Sequence, residues 1–180
     1  MAEIPQRKYK IIMLIAIHQP QFMPWLGYFD KMDRSDYFVL LDNVQYKKNE
    51  FQNRNKIKTS QGWQRLTVPV KYRFLQKINE VEIDNTTDWR KKHLHALETN
   101  YKKAPYFERY IPLFIELYQK EWDFLSELNI ASIKLLTGIL GINTEVMIAS
   151  EIHGLSDEPN LRLIDICKNI GADTYLAGKD

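Results

Sequence analysis

Cysteine is nearly absent from this chain. The one thiol, Cys167, has no second cysteine to pair with, which fits a reducing compartment and makes a cytoplasmic location the expectation. Long apolar runs are missing too. No stretch reaches the roughly 18 residues that a bilayer-spanning helix needs, so no membrane span is expected. Residues 1–10, Met-Ala-Glu-Ile-Pro-Gln-Arg-Lys-Tyr-Lys, lack the apolar core and small-residue cleavage site of a signal peptide. Charge of one sign is not in excess. The net charge is +2, and acids and bases are interspersed, so nucleic acid is not an expected partner despite the basic stretch Lys47 to Lys58. Gly-x-Gly-x-x-Gly, a Walker loop, Cys-x-x-Cys and the Gly-x-Ser-x-Gly elbow are all lacking. The residues therefore name no cofactor.

What remains is a globular composition. Of 180 residues, 44% are hydrophobic and 27% charged, enough for one core and too few for two ordinary domains. Ten tyrosines and four tryptophans can line sugar or base sites, but filling a core is their commoner use. The domain is expected over residues 13–180. Residues 1–12, basic and unpatterned, read as a leader outside the fold.

The apolar run Ile11 to Ile17 reads as a strand buried on both faces. It stops at His18, Gln19 and Gln21, bracketed by Pro20 and Pro24. A helix is expected from about Pro24, in its first turn, to Asp33. Tyr37 to Leu41 is a second apolar strand, ended by Asp42 and Asn43. Strand, helix, strand at this spacing is a right-handed βαβ unit. Gln45 to Thr59 is polar and basic, and Trp63 to Val70 alternates as a half-exposed strand. Helices are expected over Trp89 to Tyr101, Tyr106 to Glu121, Leu125 to Leu140 and Leu161 to Asn169. Strands are expected over Thr144 to Ala149 and Asp173 to Ala177. The fold class is α/β: a mostly parallel, Rossmann-like sheet with helices on both faces and a β-hairpin insertion near residues 45–83. The chain stops right after the last strand, where a covered sheet would run on, so a continuation past residue 180 is expected.

In open α/β sheets ligands bind beyond the carboxyl ends of the strands. If the first two strands are parallel neighbours, His18, Gln19, Gln21, Asp42 and Gln45 face one rim. His18 is either a capping histidine bonded to backbone or an acid, base or donor near neutral pH. Asp42 is either a turn former or a ligand for hydroxyls. Asn49, Asn53, Arg54, Lys56 and Lys58 offer amides for sugar hydroxyls and cations for phosphate or carboxylate. Trp25 and Tyr28 could stack on a ring. His93 and His95, two apart on a helix, point to different sides and do not share a metal. No metal site is expected. Cys167 reads as a structural thiol on an apolar helix face.

Three blocks carry a family resemblance: Ala16-Ile-His-Gln-Pro-Gln-Phe-Met-Pro-Trp-Leu-Gly-Tyr-Phe29, Tyr37-Phe-Val-Leu-Leu-Asp-Asn-Val-Gln-Tyr46, and Asn53-Arg-Asn-Lys-Ile-Lys58 leading to Leu66-Thr-Val-Pro-Val70. With Ala172-Asp-Thr-Tyr-Leu-Ala-Gly178 they resemble the WbqC-like proteins of bacterial polysaccharide gene clusters. The resemblance covers nearly the whole chain from Met13. It implies a cytoplasmic transferase or accessory enzyme of O-antigen or related sugar pathways, acting on a nucleotide-linked or lipid-linked sugar, with pathway enzymes as further partners. It also implies a chain longer than this one. On this reading His18 is catalytic, and Gln19, Gln21, Trp25, Tyr28, Asp42, Gln45, Asn49, Asn53, Arg54, Lys56 and Lys58 bind substrate. A non-catalytic module that binds a sugar nucleotide or a partner enzyme is the alternative. A weaker similarity is to nucleotidylyltransferases of the His-x-Gly-His type. Pro24 to Tyr28 falls at that motif, with Trp25 and Tyr28 in place of both histidines.

Overall fold

The computed structural model of the chain describes residues 12–178. All of the expected leader except Ile12 lies outside the described residues. In chain order the elements are β1 (Leu14–His18), α1 (Leu26–Asp33), β2 (Tyr37–Leu40), β3 (Arg54–Thr59), β4 (Gly62–Thr67), β5 (Val70–Lys71), β6 (Glu82–Ile83), α2 (Trp89–Tyr101), α3 (Phe107–Gln119), α4 (Leu125–Leu140), β7 (Glu145–Ile148), α5 (Pro159–Ile170) and β8 (Thr174–Leu176).

Four strands form a parallel sheet in the order β7-β2-β1-β8. Ile15 and Ala16 of β1 and Phe38, Val39 and Leu40 of β2 are fully buried, as an unbroken apolar run demands when both faces are covered. Ala16, Phe38 and Leu40 pack on Tyr28, Phe29 and Met32 of α1 and Ile133 of α4. Ile15, Ile17 and Val39 pack on Ile166 of α5 from the other side. The expected helices on both faces are thus in place. The half-buried Cys167 joins this second cluster, and burial pushes its thiol pKa up. The chain leaves β1 toward β2 through α1, and returns from β7 through α5 to β8 on the far side of β1. Strand order therefore reverses at β1, and open α/β sheets hold their ligand crevice beyond the strand ends at such a reversal, here those of β1 and β8.

Residues between β2 and α4 build a second core. Leu66, Val68, Ile78, Val81, Trp89, Tyr118 and Trp122 cluster there with Phe22 from the loop after β1. The expected hairpin region is two antiparallel ladders. In the first, β3 and β4 run from the Arg54–Thr67 pair to the Thr59–Gly62 pair, turning at Gly62 with φ 121°, a value that glycine reaches without strain. In the second, Val70 pairs with Ile83. β3 lies inside a stretch whose composition is polar. Its one apolar residue, Ile57, packs on the second core, and the strand exists because β4 supplies its hydrogen bonds.

Two helix starts differ from expectation by two residues, and α3 starts one residue late, at Phe107. Pro24 precedes α1 rather than entering its first turn, because Trp25 is extended (φ −77°, ψ 163°) and the helix begins at Leu26. α5 begins at Pro159, two residues early. Glu158 caps it by accepting from the Leu161 amide at 2.6 Å, and proline suits the first helical position.

His93 of α2 is 4% exposed, between Phe22, Trp89 and Tyr118. The Thr67 carbonyl can only accept, so Nε2 carries the proton and donates to it at 3.1 Å. Nδ1 then accepts from the Tyr118 hydroxyl at 3.3 Å. Burial outweighs the Thr67 bond and holds the pKa at about 4. Above pH 6.5 the ring is neutral whether folded or unfolded. Below that only the unfolded chain gains the proton, so stability is lost between pH 6.5 and about 4, by about 3 kcal/mol. His93→Gln keeps one donor and one acceptor without titrating. Thermal melts across this window should fall less for His93→Gln than for the native chain. Parallel losses would show that His93 is not the titrating group.

Candidate functional site

The crevice is built from the end of β1. The His18 carbonyl accepts the Leu41 amide at 2.8 Å, so the exits of β1 and β2 lie side by side. The His18 ring meets the Tyr28 ring edge-on, with centroids 4.8 Å apart. Its Nδ1 lies 3.1 Å from the Gln19 carbonyl oxygen. That oxygen has no proton to give, so Nδ1 is the protonated nitrogen and Nε2 carries the lone pair. The Tyr28 hydroxyl donates to the same oxygen at 3.3 Å. Among the described residues no protein group bonds Nε2. Burial, with the nearby Lys31 cation assisting, lowers the His18 pKa below its ordinary value, while the Gln19 bond opposes this. The ring is therefore a neutral base at pH 7.

Lys31 is the residue that sequence reasoning missed. It lies one turn after Tyr28 on α1, and its Nζ donates to the Ile17 carbonyl at 3.1 Å. β8 pairs with β1 only as far as Ala16, so that carbonyl lies past the last ladder pair. The ammonium also stands 5.7 Å from the centroid of the Tyr175 ring, and burial lowers its pKa. A lysine three residues after an inward tyrosine, on the helix that follows the first strand, was the available signal.

The loop from 18 to 25 is held rigidly. Gln52 donates through Nε2 to the Gln19 side-chain oxygen at 2.7 Å, and the Phe22 amide donates to the Phe51 carbonyl at 3.0 Å. Asn129 of α4 donates to the Pro20 carbonyl at 3.3 Å and to the Gln52 carbonyl at 2.8 Å. Met23 sits at φ 47°, uncommon for a residue with a side chain. Its carbonyl accepts from Asn55 at 2.5 Å.

The remaining expected residues divide by place. Asp42 is 3% exposed, and both its oxygens are engaged by Ser150, through the amide at 2.9 Å and the hydroxyl at 2.7 Å. It ties the end of β2 to the segment after β7 rather than facing open space. Gln21 is half-buried, and its Oε1 is buried with no protein donor among the described residues. Asn53 is buried and donates to the Val68 carbonyl at 2.9 Å. Gln45 is exposed and bridges Lys77. Arg54 donates to the Asn49 side chain at 3.0 Å. Tyr28 is buried in the sheet core. Trp25 is 63% exposed, its indole against Gly27, where an added Cβ would come within 2.0 Å of the ring.

β3 carries its cations away from the rim. Arg54 opens the strand beside Asn53, while Lys58 is four residues on, about 13 Å at strand rise, where its amide donates to the Tyr101 hydroxyl. The Lys56 ammonium lies 4.1 Å from the Trp63 ring centroid. The structure thus brings together His18, Gln19, Lys31 and Gln52, with Asp42 behind them, and leaves Lys56 and Lys58 on the outer hairpin.

The profile of the WbqC-like protein family matches residues 19–180. The uncharacterized protein Rv1507c of Mycobacterium tuberculosis is 41% identical over 167 residues, covering 91% of this chain and 71% of that one. No solved structure matches.

Removing the Lys31 charge tests the electrostatics. Lys31→Met should raise the His18 pKa toward its ordinary value, read from the ring protons by NMR titration. An unchanged or lower value would show that the two groups do not feel each other.

Proposed function

The chain belongs to the WbqC-like protein family, and on that footing we propose that it is a transferase or accessory enzyme acting on a nucleotide-linked or lipid-linked sugar in bacterial surface-polysaccharide biosynthesis. The observation that supports this most is the His18 tautomer. A neutral imidazole with its lone pair on Nε2, at the strand-order reversal of a parallel sheet, is placed for general-base work. As an acceptor hydroxyl or amine bonds to the transferred group, the bond from that group to the donor's phosphate oxygen breaks, the phosphate leaves with that electron pair, and Nε2 takes the acceptor's proton, while Gln19 and Tyr28 hold the ring through the shared carbonyl. Lys31, a compact cation with three donors, suits a phosphate oxygen of the donor. Gln21 and Arg54 are further ligands on this reading, and Trp25 is the ring that closes over a bound base or sugar. Lys56 and Lys58 have no part in it.

One observation favours the non-catalytic binding module. Gln52 donates its amide to the Gln19 side-chain oxygen and Asn53 donates to the Val68 carbonyl, which builds a shaped surface and leaves fewer groups for chemistry. Nucleotidyl transfer draws less support. Tyr28, at the place of one motif histidine, is 2% exposed and packed in the core, and neither it nor Trp25 supplies the positive charge that stabilises a transferring phosphate.

Turnover decides between these readings. A panel of nucleotide sugars, each with and without an acyl or aminoacyl donor, would be followed by mass spectrometry. One combination should turn over, and His18→Gln should lower kcat by about 10²- to 10⁴-fold with little change in Tm. The native rate should fall as acid protonates His18, at a pKa below 6.5. Full activity in His18→Gln would end the base assignment. Saturable binding of a nucleotide sugar with no product in any combination would favour the module.

A further inference from the structure

A second site lies beneath the β3–β4 hairpin. There the loop after β1, the hairpin, α2 and α3 enclose an open cavity of about 550 Å³, walled by Phe22, Ile57, Leu66, Leu97, Tyr101 and Phe114 among others. This volume falls within the range of about 300–1,000 Å³ typical of small-molecule sites. The cavity is separate from the His18 crevice and shares only the stretch Phe22–Pro24 with its loop.

We propose that this cavity takes the hydrocarbon chain of a single-chain anionic amphiphile, a fatty carboxylate or an alkyl phosphate, with the head group at Lys56. Three observations argue for that chemistry. Polar groups in the wall are few and partly committed: the Asn55 amide donates to the Met23 carbonyl, the Tyr101 oxygen accepts the Lys58 amide, and the Tyr118 hydroxyl meets His93, which leaves the hydroxyls of Tyr106 and Tyr110 among an otherwise apolar lining. A nucleobase or sugar would lose its water hydrogen bonds here and gain little in return, whereas a hydrocarbon chain loses none. Among the described residues no aspartate or glutamate lines the space, and Lys56 is its one charged lining residue. Its ammonium sits over Trp63 rather than against a carboxylate, with Lys102 and Lys103 exposed just beyond Tyr101. Last, the lining Met23 is kept at positive φ by Asn55, so this wall is held in place instead of collapsing inward. Tyr106, 65% exposed and lining the cavity, gives a chain its way in.

The proposal goes beyond the transferase reading and stands without it. The test is a fluorescence titration of the full chain with dansylated undecanoate. Saturable, blue-shifted emission at one site per chain is expected, displaced by dodecanoate and dodecyl phosphate and at least about tenfold less well by neutral dodecyl maltoside. Leu97→Trp, which fills the cavity, should weaken the probe by about tenfold or more. Ala104→Trp, which blocks the space from an exposed position, should do the same and serves if Leu97→Trp melts early. Lys56→Glu should weaken the two anions by about fivefold or more and leave the maltoside unchanged. His18→Gln should alter none of this, so failure here and failure at the crevice are read separately. Vesicles of a two-chain anionic phospholipid should not compete, and their competing better than dodecanoate would move the assignment to a membrane surface. Absence of saturation, or affinity unmoved by both tryptophan variants, would overturn the proposal.

Discussion

One uncharged side chain carries much of the arrangement. Asn129 is fully buried on α4, where an amide is costly unless it is bonded. Its two N–H groups go to the Pro20 and Gln52 carbonyls, so a single amide grips both the loop that ends β1 and the polar segment that precedes β3. Gln52 passes the connection on by donating to Gln19, whose own carbonyl fixes the His18 ring and its tautomer. The electronic state of the imidazole thus traces back to an asparagine in the middle of an apolar helix.

The same loop serves two spaces of opposite character. Its first half presents imidazole and amides to a crevice at the sheet. Its second half, Phe22 to Pro24, is a wall of the hydrocarbon-lined cavity. The change from one to the other coincides with Met23 and its left-handed backbone. That residue reverses the chain direction without a glycine, at a cost in conformational energy that Asn55 and the packing of Phe22 offset.

Much of the sheet was legible from the order of residues. β1 and β2 declare themselves as unbroken apolar runs, and the full burial of Ile15 and Val39 is the reason the runs are unbroken. α2 and α4 match their expected limits, and the parallel pairing of β1 with β2 follows from the short helix between them. β3 was hidden because its outward residues are Arg54, Lys56 and Lys58, and it owes its conformation to a partner strand. The site was legible in part. His18 and Gln19 stand at a strand end, a position that can be read from pattern. Lys31 was not read as part of it because its signal, a lysine one turn after Tyr28, depends on Tyr28 facing the sheet core, which the residue order alone does not give. Asp42 looked like a ligand because its partner, Ser150, is 108 residues away, and such a contact leaves no trace in local sequence. Asn129 is the sharpest case: within an apolar helix it reads as an interruption, and only its two carbonyl partners explain it.

α4 places Leu125 and Leu128 in the hairpin-side core and Ile133 in the core under the sheet. A 16-residue rod shared in this way couples the melting of one region to that of the other. Loss of the second core removes the support of the first half of the rod, and the sheet loses a layer as the rest frays. The chain should therefore lose its structure in one cooperative step, giving a single calorimetric peak. The hairpin side is not free to come apart while the sheet stays intact.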